Sequence, residues 1–202
     1  MRFDPIFTPF FLFLGTLGSV APRGGYKVAL PSWTVEIVPG RTVVLNGTIQ
    51  QVQAQLNRMN LSRTAHVPET DNSTLHSRHA SEGTFSFPGY IQSFCNVFPK
   101  ADPKNLFSSI RMLRDDDANK KEPTLGPGPN LCSKISCQNW AAVWWCNDNS
   151  TPMTLSSANS VADGADYIMA ECGGSKSDYS GQVFHPTGWN VVLRYSNCED
   201  PK

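Results

Sequence analysis

The sequence predicts a small, disulfide-stapled α+β protein, a two-layer sandwich whose antiparallel or mixed sheet carries two helices on one face. Three observations predict it. Six cysteines follow an N-terminal stretch that has the form of an export signal, so three crosslinks are expected. Two stretches with helical apolar spacing lie among stretches with strand spacing. The run SCQNWAAVWWCND is apolar at both parities, which suits a strand buried on both faces at the centre of a sheet.

In chain order, residues 1–21 (MRFDPIFTPFFLFLGTLGSVA) hold a lone Arg2, an apolar run from Ile6 to Leu17 and then small residues. About a dozen apolar residues are too few for a bilayer core of roughly 30 Å. No second long apolar run follows, so the segment reads as a secretory signal peptide and no membrane anchor is expected. Cleavage after Ala21 suits the small residues, with Gly18 as the alternative because Pro22 follows Ala21.

Residues 22–78 contain no cysteine. In WTVEIVPGRTVVLNG, Val35 and Ile37, then Val43 and Leu45, alternate on either side of Pro39-Gly40, which predicts two strands around a turn. IQQVQAQLNRM places Ile49, Val52, Leu56 and Met59 on one helix face. From Asn60 to Ser81 large apolar groups almost vanish, the mark of a solvated connection. This segment carries six Lys/Arg against three Asp/Glu, whereas residues 79–202 carry ten against thirteen. Opposite charge and amphipathic elements predict a leader that docks on the sheet of the following domain, assists its disulfide formation and masks its active surface. At about 57 residues without a crosslink, it is not expected to be stable by itself.

Inside the connection, Leu75-His76-Ser77-Arg78 has the form LxxR and resembles the sites that kexin-type proteases of the fungal secretory pathway cut. Stretches of small polar residues are where chains are most easily cleaved. A cut after Arg78, with Arg58 and Arg63 as weaker alternatives, divides the chain into a signal peptide (1–21), a pro-segment (22–78) and a cysteine-rich domain (79–202). The pro-segment holds glycosylation sequons at Asn46, Asn60 and Asn72; the later Asn149-Ser-Thr is followed by Pro152, which weakens acceptance.

In the cysteine-rich domain a strand is expected over about residues 85–97. Asp102-Pro103 then opens a helix, with a side-chain acceptor at the cap and proline in the first turn. Its stripe is Leu106, Phe107, Ile110 and Leu113, and it ends in the charged run RDDDANKKE, read as solvated loop. LGPGPN is a stiff loop. SCQNWAAVWWCND follows as the central strand, its tryptophans read as core rather than as a sugar-stacking platform. Val161, Ala165, Ile168 and Cys172 share one face of a second helix, capped by Ser157 or Asn159 and ended by Gly173-Gly174. GQVFHPTGWNVVLRYSNC closes the chain as two strands around a Pro-Thr-Gly turn. This layout pairs Cys172 with Cys198 and leaves the other two pairings among Cys95, Cys132, Cys137 and Cys146 open.

The cysteines include no CxxC pair, the histidines have no zinc-finger spacing, and Asp115-Asp116-Asp117 lacks the alternating ligands of a calcium loop. No metal or other cofactor is expected. Neither segment has the Lys/Arg run of a nucleic-acid arm, so nucleic acid is not an expected partner.

GPGPNLCSKISCQNWAAVWWCNDN, VADGADYIMAEC and GQVFHPTGWNVVLRYSNC, preceded by EIVPGRTVVLNGTIQQVQAQL, together resemble a widespread group of small secreted fungal proteins described as candidate effectors. The resemblance covers nearly the whole chain. It implies an extracellular, pro-processed, cysteine-stapled protein, akin in fold to killer-toxin-like or necrosis-inducing effectors, and it transfers no catalytic residue. SCQNW departs from the tyrosine-containing SCSYN form of that group.

Chemistry is weighed on the residues themselves. A small secreted ribonuclease needs a general acid, a general base and a phosphate-binding arginine, for which His185, Glu171, Arg194 and Arg111 are the candidates. His79 stands at the new terminus, and no GxSxG elbow marks a hydrolase. Three functions follow as expectations. The first is a non-enzymatic secreted effector or toxin that binds a host or competitor protein or glycan. The second is a ribonuclease-like enzyme. The third is a carbohydrate-binding module that uses Trp189 or Tyr179.

Overall fold

The computed structural model of the 202-residue chain describes residues 25–59, 87, 89–114, 121–174 and 177–199. The strands are β1 (Lys27–Val28), β2 (Ser32–Val38), β3 (Arg41–Asn46), β4 (Gln92–Cys95), β5 (Lys121–Leu125), β6 (Leu131–Gln138), β7 (Ala141–Asn147), β8 (Met153–Thr154), β9 (Gly181–His185) and β10 (Trp189–Tyr195). The helices are α1 (Ile49–Arg58), α2 (Pro103–Arg114) and α3 (Asn159–Cys172). One sheet runs in the order β1-β6-β7-β10-β9-β4, antiparallel except for the parallel β1–β6 edge. A second, antiparallel sheet runs β3-β2-β5-β8. Helix α2 packs on β6 and β7, and α3 on β9 and β10. The expected disulfide-stapled α+β fold is present, extended by a second sheet.

Alternation within β7 explains this arrangement. Every one of its residues is buried. Val143 and Trp145 enter the large core shared with the helices, while Ala142, Trp144 and Cys146 enter a smaller cluster on the other face with Cys132, Cys137 and Val192. The helix stripes meet the larger core through Leu106, Ile110 and Leu113 of α2 and Val161, Ala165 and Ile168 of α3. Local signals hold the helix ends as the sequence requires. Thr48 and Gln51 form a reciprocal capping box on α1, and the Asn105 amide donates to Asp102 Oδ1 at the start of α2 (3.0 Å). On α3 the cap falls at Ala158 without a side-chain bond, although the Asn159 amide donates to Ser157 Oγ, and Gly173 closes the last turn on Met169.

Residues 25–59 belong to the same core. Trp33, Val35, Leu45, Ile49, Val52 and Leu56 are buried in one cluster with Leu106, Ile110, Leu125, Ile135 and Trp145. The second sheet is half built from this segment, since β2 pairs with β3 on one side and with β5 on the other. Met59, expected on the apolar face of α1, is instead 48% exposed at the helix end.

Several elements differ from the sequence expectation. The expected single central strand is a hairpin, β6 and β7, joined by Asn139-Trp140 with both residues at positive φ (46° and 68°). Phe107 is 53% exposed because its neighbour Leu106 takes the inward position on α2. Part of the charged run is strand β5, drawn into order because β2 offers it a ladder from Ser32 to Val35. The early strand is shorter than expected, with β4 confined to Gln92–Cys95.

The disulfides are Cys95–Cys172, Cys132–Cys146 and Cys137–Cys198, which corrects the expected Cys172–Cys198 pair. The sheet separates those two residues. Cys172 packs against the helix-side core, whereas Cys198 packs against the cluster on the far face.

Helix α3 comes so close to the β9–β4 edge that a Cβ on Gly181 would lie 2.4 Å from Ile168 Cγ2 and 3.0 Å from Cys172 Sγ. Gly181→Ala should therefore overpack this seam and cost about 1–3 kcal/mol. Thermal unfolding checks it, and a midpoint equal to that of the native protein would refute the contact.

Candidate binding site

The exposed end of the β6–β7 hairpin carries the strongest candidate. The loop has the type I′ pattern of two positive-φ residues, in which asparagine suits the first position and glycine the second. Here Trp140 takes the glycine position. Its ring lies parallel to that of Tyr195, with centroids 5.7 Å apart and an interplanar angle of 7°. Both side chains face solvent, Trp140 at 46% and Tyr195 at 44% exposure.

This plate is fixed from several directions. The Ser196 amide donates to the Trp140 carbonyl (2.9 Å), and the Tyr195 amide donates to the Pro99 carbonyl (2.9 Å). The Asn105 side chain donates to the Asn139 carbonyl (3.4 Å) and accepts from the Asn139 side chain (3.3 Å), tying the loop to the start of α2. Cys137–Cys198 joins the strand that leads into the loop to the tail that follows Tyr195. Beside it, buried Lys134 donates its ammonium to the Asn197 carbonyl and sits over the Trp144 ring. A rigid aromatic surface loses little conformational freedom when a ligand covers it.

The aromatics expected to bind sugar are elsewhere and covered. Trp189 is 4% and Tyr179 2% exposed, so neither offers a ring face, which corrects that expectation. Both are core residues because α3 lies over the ends of β9 and β10. Of the ribonuclease candidates, His185 and Arg194 stand apart. His185 stands opposite Trp189, while Arg194 stands opposite Ala142. Five residues along β10, about 16 Å, separate those positions, and the odd offset puts their side chains on opposite faces. Arg111 and Glu171 are exposed on α2 and α3.

His185 instead closes the β9–β10 turn. Its ring stacks on Trp189 at 4.7 Å and meets the edge of Phe87 at 5.2 Å. Trp189 Nε1 donates to Thr187 Oγ1 (2.9 Å), which bonds His185 Nδ1 (2.8 Å); the Thr187 amide also points at Nδ1 (3.3 Å). An Nδ1 that accepts these bonds belongs to the neutral ring with its proton on Nε2.

Among the described residues no group of three or more His, Cys, Asp or Glu is placed to hold a metal ion, and no helix is long and apolar enough to cross a membrane. Of the sequons, Asn46 is exposed at the end of β3. The Asn149 side-chain Nδ2, by contrast, donates to Asn147 Oδ1, the Thr187 carbonyl and the Gly188 carbonyl. Asn60, Asn72, Arg63, Leu75, Arg78, His79, Asp115, Asp116, Asp117 and the signal segment lie outside the described residues. Compared with known proteins, the chain matches no family model, no curated protein and no solved structure.

Burial lowers the pKa of His185 below 6.5. The folded state thus favours the neutral ring, and the stability this contributes is intact above pH 6.5 and lost as pH falls through the folded pKa. A titration of the His185 ring by NMR should give a midpoint below 6.5, and His185→Gln should flatten the acid-side loss of stability. A midpoint above 6.5 would reverse the sign.

Peptide mapping of the chain expressed through a eukaryotic secretory pathway should find sugar on Asn46 and none on Asn149. An occupied Asn149 would mean that its three hydrogen bonds do not form.

Proposed function

We propose that this chain is a secreted effector or toxin-like protein that acts on a host or competitor by binding, with the Trp140–Tyr195 plate at the contact. Trp140 is the observation that carries the reading. A bulky residue at φ 68° occupies a conformation that costs roughly 1–2 kcal/mol and that glycine adopts freely. Backbone strain of this kind is concentrated at functional sites, and exposed Trp and Tyr are the side chains that dominate binding hot spots. The export signal, the LxxR sequence at Arg78 and three disulfides support an extracellular protein matured by a kexin-type protease.

A glycan target is the second reading, and a specific observation favours it. The amide side chains of Asn105 and Asn139 lie beside the plate, so an aromatic face and hydrogen-bonding groups adjoin. Glycan-array binding that depends on Trp140 would select this reading over a protein partner.

Trp140→Gly separates binding from folding. It relieves the positive φ while removing the plate's upper ring, so thermal stability should match or exceed that of the native protein. Affinity for a partner identified by pull-down and mass spectrometry should fall by roughly 30-fold or more, a hot-spot loss. Undiminished affinity would remove the plate from the function.

A further inference from the structure

We infer that a cut between residues 59 and 87 does not release the leader: residues 25–59 remain bound as a non-covalent light chain of a two-chain protein. The cysteine-rich part thus carries an interaction surface whose partner is this segment of its own precursor.

Four kinds of contact make that surface. Apolar burial is the first, with Trp33, Val52 and Leu56 at 0–1% exposure inside the core that α2 and β6 complete. Sheet pairing is the second. β2 forms a ladder with β5 from Ser32–Thr124 to Val35–Lys121, and β1 extends the edge of β6, where the Lys27 amide donates to the Asn130 carbonyl (2.7 Å) and the Ala29 amide to the Cys132 carbonyl (3.0 Å). The third is Gln50, which fits an irregularity of β6. The register of β6 shifts between Lys134 and Ser136, and there the Cys137 amide donates to Gln50 Oε1 (3.3 Å) while Gln50 Nε2 donates to Ser136 Oγ (2.8 Å). The fourth is packing of α1 on α2.

Departure of the segment would strip β5 of β2 and β6 of β1, and uncover the parts of β6 and α2 on which α1 packs. Each of these leaves buried polar groups or core surface without cover. All three disulfides join residues between Cys95 and Cys198, so no covalent bond would retain the segment after a cut. Retention would rest on burial and hydrogen bonds.

The test uses the whole secreted chain with a sequence-specific protease site in place of residues 75–78. After cutting, denaturing non-reducing electrophoresis should show two chains, whereas native mass spectrometry and size exclusion at micromolar concentration should show one species with the mass of the uncut protein. Appearance of the N-terminal fragment as a separate species in native buffer would overturn the inference. Val52→Ala, in the buried face of α1, should weaken retention by roughly 30-fold or more, and Arg41→Ala, on the exposed start of β3, should leave it unchanged. Equal retention of the Val52→Ala fragment would show that core burial is not what holds it. If Val52→Ala fails to accumulate, the native mass of the cut parent protein still decides.

Discussion

Burial of β7 on both faces is the constraint on which the rest of the structure depends. A strand with no polar face needs cover above and below, a condition more usual in parallel sheets with helices on both sides. Here the two covers are unlike. On one side α2, α3 and residues 25–59 form a continuous apolar layer around Trp145. On the other, Trp144 is enclosed by cystines, Val192, Phe98, Tyr26 and the tail near Cys198. Two of the three disulfides lie in this thinner layer, where few side chains are available to fill space. Crosslinks restrict the unfolded chain and so compensate for a small core.

The same asymmetry decides where a ligand-facing surface is possible. The helix side is consumed by the core, and this is why Trp189 and Tyr179 are inaccessible. At the β6–β7 loop the sheet ends, the disulfide-tethered tail crosses it, and Trp140 has no layer to enter. The strain at Trp140 and its stacking on Tyr195 are thus consequences of its place at the open edge of an otherwise sealed strand pair.

Fold class, the β2–β3 hairpin, α1, α2, α3 and the β9–β10 pair were legible because each has a period of its own, with turn or cap residues at its ends. What was not legible depended on pairing between distant segments. β5 contains Lys121, Glu122 and Pro123, a poor strand by propensity, and becomes one because β2 supplies a partner. The Cys172–Cys198 expectation failed since chain order does not say on which face of a sheet a residue emerges. Trp140 was misassigned to the core because its neighbours Trp144 and Trp145 are core. Asn139 was the available signal, an asparagine suited to positive φ at the point where parity breaks.

Two kinds of attachment coexist in this protein. The crosslinks act within residues 95–198 and keep their effect at any concentration. The hold on residues 25–59 is different in kind. While the chain is continuous, covalent linkage keeps the segment at an effective concentration on the order of millimolar, so even a modest interface stays closed. Once the connection is cut, the same interface must be tight enough to survive dilution. Trp33 and Val52 are fully buried in the core, and a segment that persists after cleavage would depend on burial of that kind. Burial of this depth is ordinary core in the uncut chain, and it is what retention after a cut would demand.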